Sequence, residues 1–520
     1  MAIDLMQTAI DPGAPAVPPQ QNTPERLAAA LEDTQGNILK SHGRDNSRHL
    51  FLTFTVTTDT DRAKAKAWIA KIARDRVTSA AQQWAESRSR ARAFQQLEGT
   101  SLSPAEQQNF LLAASGPFVG LLLSAEGYRV LKLDERMPDD PSFLAGAAAR
   151  AADLGDPAPG SWQPELRDGL HALLIVADDD IPRLEVLVAT IQGELAGIAS
   201  VFVQAGAVIR LGDDGKPSPT GRVHEHFGFS DGVSQPLFYA KDIEAAKKRS
   251  GGIDRYDPSA PLAQVLLKDP GGGESGYGSY IVYRKLKQDV AGFQGDEQKL
   301  GLALTQVADP KATKPTDDNV LLAGAYMVGR FKDGTPVVDQ SVPGLLTQPN
   351  NFTYDQDVDG VRCPFQAHVR KANPRGDKQR QFDVPVTEER SRRIARRAIS
   401  FGPPVLDPPP GEEVGLLFLC AQSSIIDQFE FIQLAWANYQ DFLRPRTGLD
   451  PVIGQPGTAE VVAQPWPKEY GSHNQLDFSK VPPAETDPFV RVEVGEWVEM
   501  RGGEYFFAPS LSCLKTCDEA

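Results

Sequence analysis

Two distant stretches of this chain carry the same pattern. His171-Ala172-Leu173-Leu174-Ile175-Val176-Ala177 is almost wholly apolar and precedes a helical stripe of Leu184, Leu187, Val188 and Ile191. Val414-Gly415-Leu416-Leu417-Phe418-Leu419-Cys420 repeats the run, with a helix expected from Ser424 to Asp441. A short apolar run without polar alternation fits a strand buried on both faces. Two such strand–helix units point to a repeated α+β fold, antiparallel sheets with helices packed on them.

The chain has 520 residues, enough for two cores. The turn-rich Asp213-Asp214-Gly215-Lys216-Pro217 places the boundary near residue 220. The expected division is a domain over 35–220 and a second over 221–500. Residues 1–34, rich in Pro, Gln and Ala, are expected as a flexible N-terminal tail, and 501–520 as a C-terminal tail. His49 to Val56 alternates as a half-buried strand, Asp61 opens a helix carrying Trp68, Ile69 and Ile72, and Phe118 to Ser124 is another strand. Residues 85–117 and 133–165 read as excursions from the core, and the Pro-rich 458–487 as a surface wrap.

With 54 basic and 69 acidic residues the net charge is -15. That argues against a nucleic-acid partner, because phosphate binding needs a basic surface. No run of about 18 apolar residues occurs, so no membrane span is expected. The N-terminus lacks the basic and apolar regions of a signal peptide, and a cytoplasmic location is expected. Four cysteines (Cys363, Cys420, Cys513 and Cys517) are too few for a disulfide framework.

Gly271 to Gly276 matches the dinucleotide fingerprint by letter. It leads into the strand Tyr280-Ile281-Val282-Tyr283 and not into a helix, so it reads as a loop. The cluster Arg392, Arg393, Arg396 and Arg397 reads as one cationic face of a helix, with one arginine able to point inward. His368 follows the bend Cys363-Pro364-Phe365, which can present a side chain to a cavity. Arg370, Lys371 and Arg375 beside it form a cation cluster of the kind that a ligand with two carboxylates requires. Asp231 lies between Ser230 and Gly232, in Gly228-Phe229-Ser230-Asp231-Gly232. Alone it fits a turn, but its glycines also allow close approach to a flat ligand.

Taken jointly, these segments resemble the dye-decolourising peroxidases, a haem family with a duplicated ferredoxin-like fold. The match runs from Gly228 to Pro236, through His368 to Arg375, around Arg396 and Phe401-Gly402-Pro403, and through Thr447 to Gln455. It covers residues from about 35 to 500 and looks like the larger bacterial and fungal members. The resemblance implies one haem b per chain in the second half, with His368 as the axial iron ligand. A carboxylate would hold the other ring nitrogen: Glu430 first, Asp427 in reserve. Asp231 would move the peroxide proton and Arg396 would stabilise developing charge and line the cofactor site. The implied substrates are hydrogen peroxide and small aromatic electron donors, dyes or phenols. A homo-oligomer is compatible with such folds. The alternative is a haem-handling, deferrochelatase-like protein with little turnover. Trp436 and Tyr439 are candidate surface relays, with core packing favoured for Trp436. Ala398 stands where the family commonly has Ser or Asn lining the pocket.

Overall fold

A computed structural model describes residues 2–12, 22–97, 99–345, 347–457, 463–472 and 487–520. In the first half the strands are β1 (Asn46–Phe54), β2 (Phe118–Ser124), β3 (Ala172–Asp178) and β4 (Ala199–Ala207). Helices Asp59–Asp75 and Ile181–Glu194 connect β1 to β2 and β3 to β4. In the second half the strands are β5 (Tyr277–Gln288), β6 (Ile399–Phe401), β7 (Gly415–Gln422) and β8 (Val498–Ala508). All pair antiparallel in one sheet, in the order β6-β7-β5-β8-β2-β3-β1-β4. Each half therefore has the same internal order, fourth strand, first, third, second. That is a ferredoxin-like unit, present twice.

The ends of the sheet meet. A Cβ on Gly206 of β4 would stand 2.7 Å from Ile399 Cγ2 of β6, so only glycine permits the approach. The curved sheet closes as a barrel. Period-2 alternation divides its side chains. Phe51, Leu173, Ile175, Ile281, Tyr283, Leu417, Leu419 and Phe506 fill the interior. Leu50, Leu52, Leu174 and Val176 face outward against Ile69, Ile72, Leu184, Val188 and Ile191 of the two helices. β3 is buried along its whole length, which is why its sequence shows no polar alternation.

The two expected tails are structural parts. Residue 10 pairs with the segment after Leu237: Ile10 N donates to Phe238 O at 2.8 Å and Ala240 N to Ile10 O at 2.9 Å. Helix Pro24–Asp33 follows, its first turn capped by Thr23. Of the expected N-terminal tail, 13–21 lie outside the described residues. At the other end, β8 is the fourth strand of the second repeat and joins the halves by pairing with both β5 and β2. Cys513 and Cys517 follow it, buried, in a short capped helix and the turn beyond. Of the expected surface wrap over 458–487, residues 458–462 and 473–486 lie outside the described residues, and Gln464–Pro467 is a buried strand paired with Phe489–Val492.

The excursions 85–117 and 133–165 contain helices Ala80–Leu97, Pro104–Ala113 and several short turns. The helix expected from Ser424 to Asp441 forms instead as two consecutive π-helical segments, Ile425–Glu430 and Ile432–Ala437. Such wide turns are uncommon and recur at functional sites. The arginine cluster is not a helix face either. A helix ends at Ser391, and Ala395–Arg396 is a short strand paired with β7. Among the described residues no helix is long and apolar enough to cross a membrane.

Candidate active site

On the first repeat, helices cover the outer face of the sheet. On the second, the corresponding face is held apart from its helical layer, and a cavity of about 280 Å³ occupies the gap. Arg284, Leu286 and Gln288 of β5, Leu416 and Phe418 of β7, and Val498 and Met500 of β8 form the sheet wall. Phe429, Ile432 and Gln433 of the π-helical segments, and His368, Val369 and Ala372, line it from the helical side. Asp231 and Arg396 line the same cavity.

Asp231 is fixed by its backbone. Its N–H donates to Val223 O at 2.9 Å, Ser230 N–H donates to Lys332 O at 3.0 Å, and Gly228 and Gly232 take φ of 96° and 73°. Those left-handed values require glycine on either side of the turn. Asp231 Oδ1 accepts from Gly232 N at 2.6 Å and from Arg396 Nη1 at 3.1 Å. Among the described residues Oδ2 has no protein partner. Strand alternation sends Arg396 to the cavity and Arg397 the other way, where its guanidinium donates to Asn37 O and Ile38 O. Arg396 N–H donates to Gln235 Oε1 at 2.9 Å, tying the strand to the Asp231 loop.

His368 opens the short helix His368–Ala372. Its Nδ1 bonds Asp450 Oδ2 at 2.9 Å, so Nε2 is the nitrogen left for the cavity. Asp450 is buried; its Oδ1 accepts from Val452 N and Ile453 N at 2.8 and 3.0 Å. Burial opposes its ionisation, but His368 and these two amides outweigh burial and hold the carboxyl below its ordinary value.

Asp450 therefore takes the place expected for Glu430 or Asp427, and both of those assignments are corrected. Glu430 faces away from the cavity and accepts from Arg150, Ser142 and Tyr505. Asp427 is exposed and pairs with Arg392 at 3.0 Å. The missed signal was Asp450-Pro451 inside an otherwise apolar segment. An aspartate there bonds the amides two and three residues on and leaves one oxygen free.

Arg370 is also corrected. It is fully buried, and all five of its N–H bonds are used: Nε to Asp377 Oδ2, Nη1 to Asp357 Oδ2 and Cys363 O, and Nη2 to Asp357 O and Asp377 Oδ1. It has no donor left for a cofactor. Arg375 does line the cavity, stacked 3.9 Å from both Tyr256 and Phe352.

Arg393 is a lining residue that sequence reasoning did not single out. Among the described residues neither Arg375 nor Arg393 pairs with a carboxylate, and Arg375 Nε is buried without a partner. Burial alone would raise the nearby Tyr256 phenol. Arg393, Arg375 and the Asn373 amide override it and pull the phenol down to about 8. This corner of the cavity carries uncompensated positive charge and suits an anionic substituent. A carboxylate-held imidazole, an apolar wall and a cationic corner fit a haem with its propionates.

Ala398 does not line the cavity; Arg393, Ile394 and Arg396 are the residues of that segment that do. Trp436 is buried and stacks on Phe442, as core packing requires, whereas Tyr439 is exposed.

Comparison with known proteins agrees with this geometry. Residues 33–210 match the family model described as the DyP dimeric alpha+beta barrel domain. The multifunctional dye peroxidase DyP2 of Amycolatopsis sp. is 35% identical over 505 residues, 94% of this chain and 96% of that one. The chain belongs to the DyP-type peroxidase family. This family uses haem. The dye-decolorizing peroxidase msp1 of Mycetinis scorodonius is 29% identical over 97% of this chain and 91% of its own length. The crystal structure of the Anabaena sp. DyP-type peroxidase superposes with a TM-score of 0.80 at 38% identity, covering 95% of this chain and 96% of that one. Both duplicated halves thus have counterparts in the family.

Proposed function

We propose that this DyP-type peroxidase binds one haem b between the outer sheet face of the second repeat and its helical layer. His368 Nε2 would hold its iron. The reaction reduces hydrogen peroxide at the expense of one-electron donors such as dyes and phenols. The observation that carries this reading is one cavity lined by His368, which Asp450 holds from behind, and by both members of the Asp231–Arg396 pair.

Haem, when bound, supplies the iron and the redox equivalents. The rest belongs to the chain. Asp450 fixes the imidazole tautomer and increases the electron donation of Nε2. Arg375 and Arg393 hold the propionates in the cationic corner. Asp231 Oδ2 accepts a proton from the bound peroxide and returns it to the departing oxygen. Arg396 holds Asp231 in place and opposes the negative charge that grows on the peroxide. A protein that only carries haem has no need of this second pair. The barrel domain named in the family model is dimeric by description, and a homo-oligomer is part of the proposal.

The test is an absorption spectrum before and after one equivalent of hydrogen peroxide. A Soret band that changes on addition and returns with a dye or phenol supports the reading; a colourless protein overturns it. His368→Ala should yield haem-poor protein, and a full Soret band in that variant would refute ligation. Asp450→Asn should cost about 10–100-fold in haem retention or turnover. Because the Asp450 carboxyl is held below its ordinary value, its contribution is present above about pH 4 and lost as pH falls further. Haem should therefore stay bound through mildly acid pH and be released below it, as spectrophotometric acid titration would read.

A further inference from the structure

Glu225 is a second carboxyl in the cavity wall, beside Asp231 but differently held. Its Oε2 accepts from Phe227 N at 2.9 Å and Gln288 Nε2 at 2.6 Å, and its Oε1 from Phe229 N at 2.9 Å. Gly228 N donates to Glu225 O, and Glu225 N to Phe229 O. The whole turn before Ser230 and Asp231 is thus wrapped around this one side chain. Gln288, on β5, ties the turn to the barrel.

Among the described residues no cation pairs with Glu225. The charged groups around it are already engaged. Asp231 belongs to Arg396, Arg284 to Asp156, and Lys332, over the Phe229 ring, to Glu297. His224 and His226 on its own segment are driven toward their neutral forms by burial. Gln288 Oε1 is buried without a partner. A half-turn of that amide exchanges its oxygen and nitrogen, which have nearly the same shape. The 2.6 Å contact is then the length usual for O–H···O, with a carboxylic acid donating to the amide oxygen.

We propose that Glu225 carries a proton on the acid side of neutrality and, with Gln288, is the positioning station of the Asp231 loop, leaving Asp231 as the single carboxylate of the cavity there. Two carboxyls in one cavity are separated in this way when one has a cation and the other only burial. Burial, opposed only in part by Gln288 and the two amides, pushes Glu225 up to about 7. As pH rises through that value a second negative charge appears near Asp231 and opposes the negative charge that grows on the peroxide as it gives up its proton, against the action of Arg396. The proposal rests on the role given to Asp231 above, but its first test does not.

That test is infrared difference spectroscopy of the haem-containing protein, without peroxide, as pH is raised from 5 to 9. The expected result is loss of a protonated-carboxyl carbonyl band with a midpoint near 7, shifted in D2O and absent from Glu225→Gln. No band titrating between about 6 and 8 overturns the proposal whatever Asp231 does; burial also pushes Glu504 up to about 7, so a band that persists in Glu225→Gln, or, where that variant fails to fold, one that is lost in Glu504→Gln, overturns it as well. The second readout is the rate of reaction with hydrogen peroxide against pH. The wild-type decline through neutrality should vanish in Glu225→Gln, which is neutral at every pH. An unchanged decline overturns the link to Asp231.

Discussion

Asp231→Asn is expected to lower the rate of reaction with hydrogen peroxide by about 10²–10⁴-fold, the usual worth of a positioned acid–base group. Haem content should be unchanged. Oδ1 is committed to Gly232 N and Arg396, and Oδ2 alone is free to take a proton. An amide keeps the size and one acceptor but cannot hold and return that proton. The backbone bonds to Val223 and Lys332 do not involve the side chain, so the loop stays in place. Stopped-flow spectra at the Soret band measure the effect directly. A rate within about tenfold of wild type would remove Asp231 from the mechanism.

The second large effect is on stability. Arg370→Leu should destabilise the second repeat by about 3–5 kcal/mol, the usual cost of leaving buried charge uncompensated. Asp357 and Asp377 would remain buried, with Arg380 still reaching Asp377 but nothing replacing Arg370 at Asp357. The stacking of the guanidinium on Tyr354 and Phe365, at 4.3 Å each, would also go. Denaturant unfolding of the variant measures this. A propionate-binding Arg370 would behave differently, giving a stable protein that binds haem weakly. Normal stability with lost haem would contradict the structural assignment.

Arg370 also shows where the sequence could be read and where it could not. Asp231, His368 and Arg396 carry short motifs whose glycines and strand alternation point them at a common space. The duplicated fold followed from two apolar strand–helix units. Arg370 stood beside His368 in the chain, but two residues along a helix is a turn of about 200°, so the two side chains point apart. Glu430 was chosen for its place on an expected α-helix after Cys420. The π-helical turns there change the phase of every later side chain, and Glu430 goes to Arg150. Asp450 lies far along the chain from His368, and its pairing is a tertiary contact that no local pattern encodes. Most of the last strand lies in 501–520, the expected C-terminal tail. The register shift between Met500 and Gly502 is a bulge that uses those residues inside the sheet.

That last strand has a consequence for biosynthesis. Among the described residues β8 is the one strand that joins the two repeats through hydrogen bonds on both its edges, and it also supplies Val498 and Met500 to the cavity wall. Until residue 508 has emerged from the ribosome, β2 and β5 each present an unpaired edge, a template for wrong partners. The N-terminal repeat can take shape early, as domains do during synthesis. The cavity cannot, however early its other walls are made. The site proposed for haem is therefore complete only once β8 is in place, and a chain lacking that strand would be left open-edged and without a finished site.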